Sequence, residues 1–292
     1  MLPSHSLFTI IIIMKPNLSI SLIVLLALAG VGRAAPAGEP TNAKEAVRQQ
    51  AQASSITPAM LAAEAKRKAV MTAEQLAWEE TLEANLGSFY LPGYYKEKDA
   101  KHETAWDYLK DDPALPRLLI IGDSISRGYT LATRHVLAGK VNVHRAPENC
   151  GPTANGLKKV DIWLGGGKWD VITWNFGIHD RNTAPATYRT NLEALLKRLR
   201  QTGAKVIWVR TTPAPPSGTN NEKFSDAQCD RLNAVADEVM KANHISEVDL
   251  YTLLKPKLAE LQLPNNVHFK EDGYQLMGGE VAKAVLAELG RK

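Results

Sequence analysis

Arg117-Leu118-Leu119-Ile120-Ile121-Gly122-Asp123-Ser124 is the stretch whose reading decides the fold. A run of branched apolar residues stops at a glycine, an aspartate and a serine. A short continuous apolar run bounded by glycine has the pattern of a strand buried on both faces of a parallel sheet. In open sheets of that kind ligands sit beyond the carboxyl ends of the strands. Ser124 therefore stands where a rigid, accessible nucleophile would be held. Gly, Asp and Ser are also turn formers, and taken alone the three residues read equally as a plain turn.

Outward from this stretch, strands and helices alternate. Strands are expected at 117–121, 141–145, 171–175, 205–210 and 247–250, and helices at 187–201, 225–243, 251–261 and 273–289. Leu192, Leu195, Leu196 and Leu199 recur at three- and four-residue spacing, so they face a core. Gly203 ends that helix. Such alternation predicts an α/β fold with a parallel sheet between helical layers. The connection 211–223, with Pro213, Pro215 and Pro216, follows a strand; it is expected at the active edge as a substrate loop, or as a mere insertion.

A serine nucleophile needs a base for its proton and donors for the oxyanion. The base candidate is His268 in Asn265-Asn266-Val267-His268-Phe269, just ahead of a helix entry at Glu271-Asp272-Gly273-Tyr274. Donors are offered by Asn149-Cys150-Gly151-Pro152-Thr153 after the second strand and by Phe176-Gly177-Ile178-His179-Asp180 after the third. A parallel sheet gathers all of these at one edge. No Cys or His spacing suits a metal, and no cofactor is implied. His135, His144 and His244 have no motif context.

These blocks, in this order, resemble the SGNH hydrolases, the GDSL esterase/lipase superfamily; the loop around Asn149-Cys150-Gly151 resembles a bacterial secreted branch. Gly122, Asp123 and Ser124 match the family's first block, Gly151 its second, Gly177-Ile178-His179-Asp180 its Gly-x-Asn-Asp, and Asn265-Asn266-Val267-His268 its Asp-x-x-His. The resemblance runs from about Pro116 to the C-terminus. It implies a flavodoxin-like three-layer sandwich with a central parallel sheet. It implies Ser124 as nucleophile, His268 as base, and an oxyanion hole from the Ser124 and Gly151 N–H groups and the His179 side chain. Asp123 would support the turn. Two positions depart from the family. His179 replaces its asparagine, although a neutral imidazole still offers one donor. Asn265 replaces its aspartate, and an amide does not stabilise an imidazolium as a carboxylate does; either a Ser-His dyad suffices, or another carboxylate completes a triad, or activity is weak. The implied substrate is an O-acyl ester, with acetyl on carbohydrate foremost. The alternatives are a weakly active or non-catalytic carbohydrate-binding protein of the same fold, and a lipid or lysophospholipid esterase, which the polar loops disfavour.

The 292 residues divide in expectation into a signal peptide (1–34), a flexible tether (35–57), a helical and aromatic N-terminal extension (58–112) and the hydrolase domain (113–292). Lys15, the apolar stretch Leu18 to Gly30 and small residues at Gly32 and Ala34 fit a secretory leader with Met14 as an alternative start; an uncleaved anchor is the rival, disfavoured by the short apolar run. Secretion or a periplasmic location follows, with no stable membrane span after processing. The net charge of +4 falls to +2 without Lys15 and Arg33, which excludes a nucleic-acid argument. Thr72 and Gln75 fit a capping box. Phe89 to Tyr95 reads as an aromatic turn whose rings pin the extension to the main domain, rather than as a sugar platform. Trp174 and Trp208 read as core; Trp163 and Trp169 could stack on sugar. Cys150 and Cys229 read as two unpaired thiols, or as a pair in an oxidising compartment.

Overall fold

The computed structural model describes residues 56–215 and 224–291. The expected leader, nearly all of the tether and residues 216–223 lie outside the described residues. Three helices come first: α1 (Pro58–Lys68), α2 (Ala73–Asn85) and α3 (Gly87–Asp99). Thr72 caps α2 in a capping box with Gln75, as their spacing predicts. Helix α3 corrects the aromatic turn expected at Phe89 to Tyr95. Leu91-Pro92-Gly93 is a strong local turn signal, but Tyr94 and Tyr95 are buried and bond to α2. Their hydroxyls donate to Glu79 Oε1 at 2.8 Å and to Glu83 Oε1 at 2.6 Å. Packing overrides the local preference.

The rest of the chain forms β1 (Arg117–Ile121), α4 (Ser124–Val136), β2 (Asn142–Arg145), α5 (Thr153–Leu164), β3 (Val171–Trp174), a 3-10 turn (Ile178–Asp180), α6 (Pro185–Arg200), β4 (Lys205–Val209) and α7 (Asp226–Ala242). Then follow β5 (Ser246–Val248), α8 (Leu250–Leu254), a 3-10 turn (Lys255–Lys257), α9 (Leu258–Leu261) and α10 (Glu271–Glu288). Helices α4 and α5 escape the sequence reading. Helix α4 is rich in Ser, Gly and Thr, weak helix formers, and forms because Ile125, Tyr129 and Ala132 bury one face. The helix expected at 251–261 is broken where Pro256 opens a 3-10 turn. Leu250 starts α8 rather than ending β5, because Asp249 caps that helix by accepting from Thr252 N at 2.9 Å.

The sheet has order β2-β1-β3-β4-β5 and is parallel throughout. The connection from β1 leads outward to β2, and the chain then returns to the other side of β1. The switch point, where such folds open a crevice, therefore lies at the end of β1, directly before Ser124. Helices α4 and α10 pack against each other on one face, while α5, α6 and α7 pack in sequence on the other. Trp174 and Trp208, paired across β3 and β4, meet at 4.8 Å between ring centroids inside the core.

The extension is bound to this core. Trp106 Nε1 donates to Ala146 O at 3.2 Å, and Arg134 donates to Thr104 O at 2.8 Å and to Ala105 O at 3.1 Å. Tyr90 meets the Trp106 ring edge-on at 5.5 Å. Tyr90, which also faces the Arg127 guanidinium at 5.6 Å, acts as a pin, whereas Tyr94 and Tyr95 bond to α2 within the extension. No helix among the described residues is long and apolar enough to cross a membrane.

Candidate active site

Asp123 sits between β1 and α4 with extended backbone, and its Oδ1 accepts from Ile125 N at 2.9 Å. This is the N-cap bond that satisfies an orphan donor of the first turn. Ser124 is then the first residue of α4, 8% exposed. The positive end of the helix dipole lies at its N–H, which favours an anion there.

His268 reaches the serine from the loop between α9 and α10, 144 residues downstream, with Nε2 2.8 Å from Ser124 Oγ. The approach is set by the α4–α10 seam. A Cβ at Gly128 would fall 2.1 Å from Tyr274 Cε1, and one at Gly278 2.5 Å from Ala132 Cβ. Gly128 makes room for the Tyr274 ring, and Gly278 lets α4 and α10 close to backbone contact, its Cβ position lying 2.8 Å from Thr133 N.

Behind the imidazole the structure departs from the sequence reading. Asn265, matched to the family's aspartate, is an exposed residue in left-handed backbone at φ 51°. The side chain at Nδ1 is that of Asn266, with Oδ1 at 2.7 Å from Nδ1 and 3.0 Å from the His268 backbone N. A backbone N–H only donates, so the amide oxygen must face it. That same oxygen then makes Nδ1 the protonated nitrogen and leaves the Nε2 lone pair for Ser124 Oγ. Asn266 therefore holds the tautomer a base requires, but supplies a dipole where a carboxylate would supply a charge. Sequence reasoning quoted Asn266 without giving it a role; the two-residue offset needed for its bond to the His268 backbone was the available signal.

The loops that flank the serine follow β2 and β3, the two neighbours of β1. Gly151 adopts φ 65°, a conformation suited to glycine, and Cys150 N donates to Gly122 O at 3.2 Å. Asp180, fully buried, ties this loop to the turn that carries His179. It accepts from Thr153 N at 2.8 Å, Thr153 Oγ1 at 2.6 Å and Thr183 Oγ1 at 3.1 Å. Burial raises the Asp180 pKa, while the Thr153 donors work against that rise. His179 itself is half-buried on the 3-10 turn. Gly151 and His179 are thus placed on the loops that flank Ser124, on a shared support.

Other expectations change. The connection after β4 does not open at its start: Ala214 is fully buried and Gln262 Nε2 bonds to Pro213 O at 2.9 Å. Thr211 to Pro215 therefore belong to the core, not to a substrate loop. Trp163 is buried with Nε1 on Glu148, and Trp169 lies under the Arg117 guanidinium at 4.1 Å, so neither offers a clear sugar platform. Cys150 and Cys229 are both buried and unpaired, and burial raises both thiol pKa values. Among the described residues no group of His, Cys, Asp and Glu could hold a metal ion.

The family model for GDSL-like lipases and acylhydrolases matches residues 120–276, more than half of the chain. The chain belongs to this family. The matched span starts within β1 and ends in α10, so it includes Ser124, Gly151, His179 and His268. Comparison with curated proteins finds no match. Among solved structures, the lipase/acylhydrolase from Enterococcus faecalis superposes with a TM-score of 0.53 at 26% identity, covering 59% of this chain and 96% of its own. The acetyl xylan esterase AlAXEase superposes with a TM-score of 0.51 at 14% identity, covering 58% of this chain and 99% of its own. At that identity the second likeness speaks for the α/β fold alone. Membership identifies the chain as an ester hydrolase of the acylhydrolase type.

Proposed function

We propose that the protein is an exported esterase in which Ser124 and His268 act as a dyad on O-acyl esters, with acetyl groups on carbohydrate as the substrate class. The observation that carries this reading is the 2.8 Å contact between His268 Nε2 and Ser124 Oγ, with Nδ1 held on Asn266 Oδ1. Nε2 takes the Ser124 proton as Oγ attacks the acyl carbon. The carbonyl oxygen becomes an oxyanion at the positive end of α4, met by the N–H groups of Ser124 and Gly151 and by the His179 side chain. His268 then gives its proton to the leaving alkoxide. Water, deprotonated by the same Nε2, releases the acyl group from Ser124. Asp123 supports the turn through its bond to Ile125 N. No step calls for a metal or an organic cofactor.

The carbohydrate acetyl assignment rests on the resemblance and on the leader expected at 1–34. The same fold carries an acetyl xylan esterase, which makes an acetylated sugar the first substrate to try. A second reading is favoured by one observation: the group at Nδ1 is an amide, which stabilises an imidazolium less than a carboxylate in its place would, as expected of a weakly active, carbohydrate-binding relative. Purified mature protein is tested on an aryl acetate and an aryl octanoate, and with a fluorophosphonate probe. Faster acetate cleavage, with labelling lost in Ser124→Ala, supports the esterase. Faster octanoate cleavage points to a lipid esterase. Neither turnover nor labelling sinks the dyad and leaves the binding protein.

A further inference from the structure

We propose that Arg145 is the positioning residue of the nucleophile: it aims the Ser124 N–H at the oxyanion by pinning the carbonyl on the other side of the same peptide bond. The inference deepens the esterase reading and rests on it.

Arg145 is the last residue of β2, beside the end of β1, and only 1% of it is exposed. A buried guanidinium ordinarily meets a carboxylate. This one meets the nucleophile turn. Its Nη2 donates to Gly122 O at 3.0 Å and to Asp123 O at 2.8 Å, and its Nη1 donates to Ser126 Oγ at 2.6 Å. Ser126 Oγ in turn donates to Asp123 O at 2.8 Å, and Arg127 N donates to the same oxygen at 3.0 Å. Three donors therefore converge on Asp123 O.

The peptide unit is planar and trans, so its C=O and N–H point in opposite directions. Fixing Asp123 O fixes the direction of the Ser124 N–H. The positive charge also polarises that carbonyl, and a polarised peptide is a stronger donor at its N–H. Gly122 O, the other carbonyl held by Arg145, also accepts from Cys150 N. The same side chain thus couples the nucleophile turn to the loop of Gly151. A guanidinium beside a helix N-terminus is unfavourable on its own, so its place depends on the carbonyl and hydroxyl oxygens it holds there. The Trp106 ring, 5.9 Å from the guanidinium carbon, lies over it, and Trp106 Nε1 bonds to Ala146 O. The N-terminal extension thereby closes the site of Arg145 from outside.

The test compares wild type, Arg145→Lys, Ser126→Ala and the double variant, each checked for folding by circular dichroism and Tm. Turnover of an aryl acetate and the rate of fluorophosphonate labelling are measured at a temperature where every variant is folded. Arg145→Lys keeps a charge but loses the planar fork. It should lower kcat and the labelling rate by about thirty-fold or more and leave KM within about twofold, because only the oxyanion is affected. Ser126→Ala removes one of the three donors and should cost several-fold in kcat. The double variant should lose little beyond Arg145→Lys alone, since both act on one oxygen. A folded Arg145→Lys with wild-type kcat overturns the proposal. So does a rise in KM with kcat unchanged, or a loss that merely follows the fraction unfolded. Should Arg145→Lys not fold, an unchanged kcat in Ser126→Ala overturns it. A wild-type protein that neither turns over nor labels refutes the esterase reading separately. The amide shift of Ser124 in 15N-labelled protein then decides: Arg145→Lys must move it, and an unmoved shift overturns the proposal.

Discussion

Ser124 and His268 reach their 2.8 Å contact from supports of different kinds. The serine stands on a turn fixed by the end of a central strand, an aspartate cap, a buried arginine and the first bonds of a helix. The histidine stands on a short loop between two helices, with Nδ1 on the Asn266 amide oxygen. The contrast is between backbone bonds around Ser124 and a side-chain dipole at His268 Nδ1. Orientation is supplied on both sides. Charge that would stabilise an imidazolium is not supplied by Asn266, the side chain that holds Nδ1.

Removing the base is the severest way to break the contrast. His268→Ala should lower kcat by several orders of magnitude, as loss of the base does in other serine hydrolases. A fall of less than about tenfold in aryl acetate turnover would mean that another group takes the Ser124 proton. Next comes the oxyanion side. His179→Ala should lower kcat by about a hundredfold, roughly 3 kcal/mol, with little change in KM, the cost of one oxyanion donor elsewhere. His179→Asn, which restores the family's donor, should keep much of the rate. Normal kcat in His179→Ala would leave the oxyanion to the two backbone donors.

The base side can be sharpened by a gain. Asn266→Asp places a carboxylate at Nδ1 and should raise kcat by about tenfold or more, a fraction of the roughly ten-thousandfold that separates Asp from Asn in a serine triad. An adjacent negative charge favours the imidazolium, so the acid limb of its pH–rate profile should move to higher pH. A variant no faster than wild type would show that the charge is not what the site lacks. Asn265→Asp is the control with the smallest effect. Its side chain is exposed on left-handed backbone, and kcat should stay within about twofold. A large gain at 265 with none at 266 would reverse the assignment drawn from the structure.

Much of this was legible in the chain. The apolar run 117–121, the Gly-Asp-Ser that follows and the later strand periods are local patterns, and local patterns are what sequence reports well. The order β2-β1-β3-β4-β5 then follows for an alternating chain of this family. Helix α4 was not legible, because its Ser, Gly and Thr residues carry weak helical preference and its stability comes from burial against the sheet and α10. The turn read at Leu91-Pro92-Gly93 failed for the converse reason: two tyrosines bonded to α2 hold a helix through a local breaker.

The sequence by itself determined the α/β class, the place of Ser124 at the end of a buried strand, and His268 as the histidine that comes before the last helix. These depend on residue types at short spacing. Only the tertiary structure decided that Asn266 rather than Asn265 meets the imidazole Nδ1, that Asp180 joins the Gly151 loop to the His179 turn, and that Arg145 grips the carbonyls before the serine. Each of these depends on a backbone angle or on contacts between distant segments. In a strand pattern Arg145 is simply a charged residue at an end. In the fold it is a buried cation whose Nη groups bond to Gly122 O, Asp123 O and Ser126 Oγ.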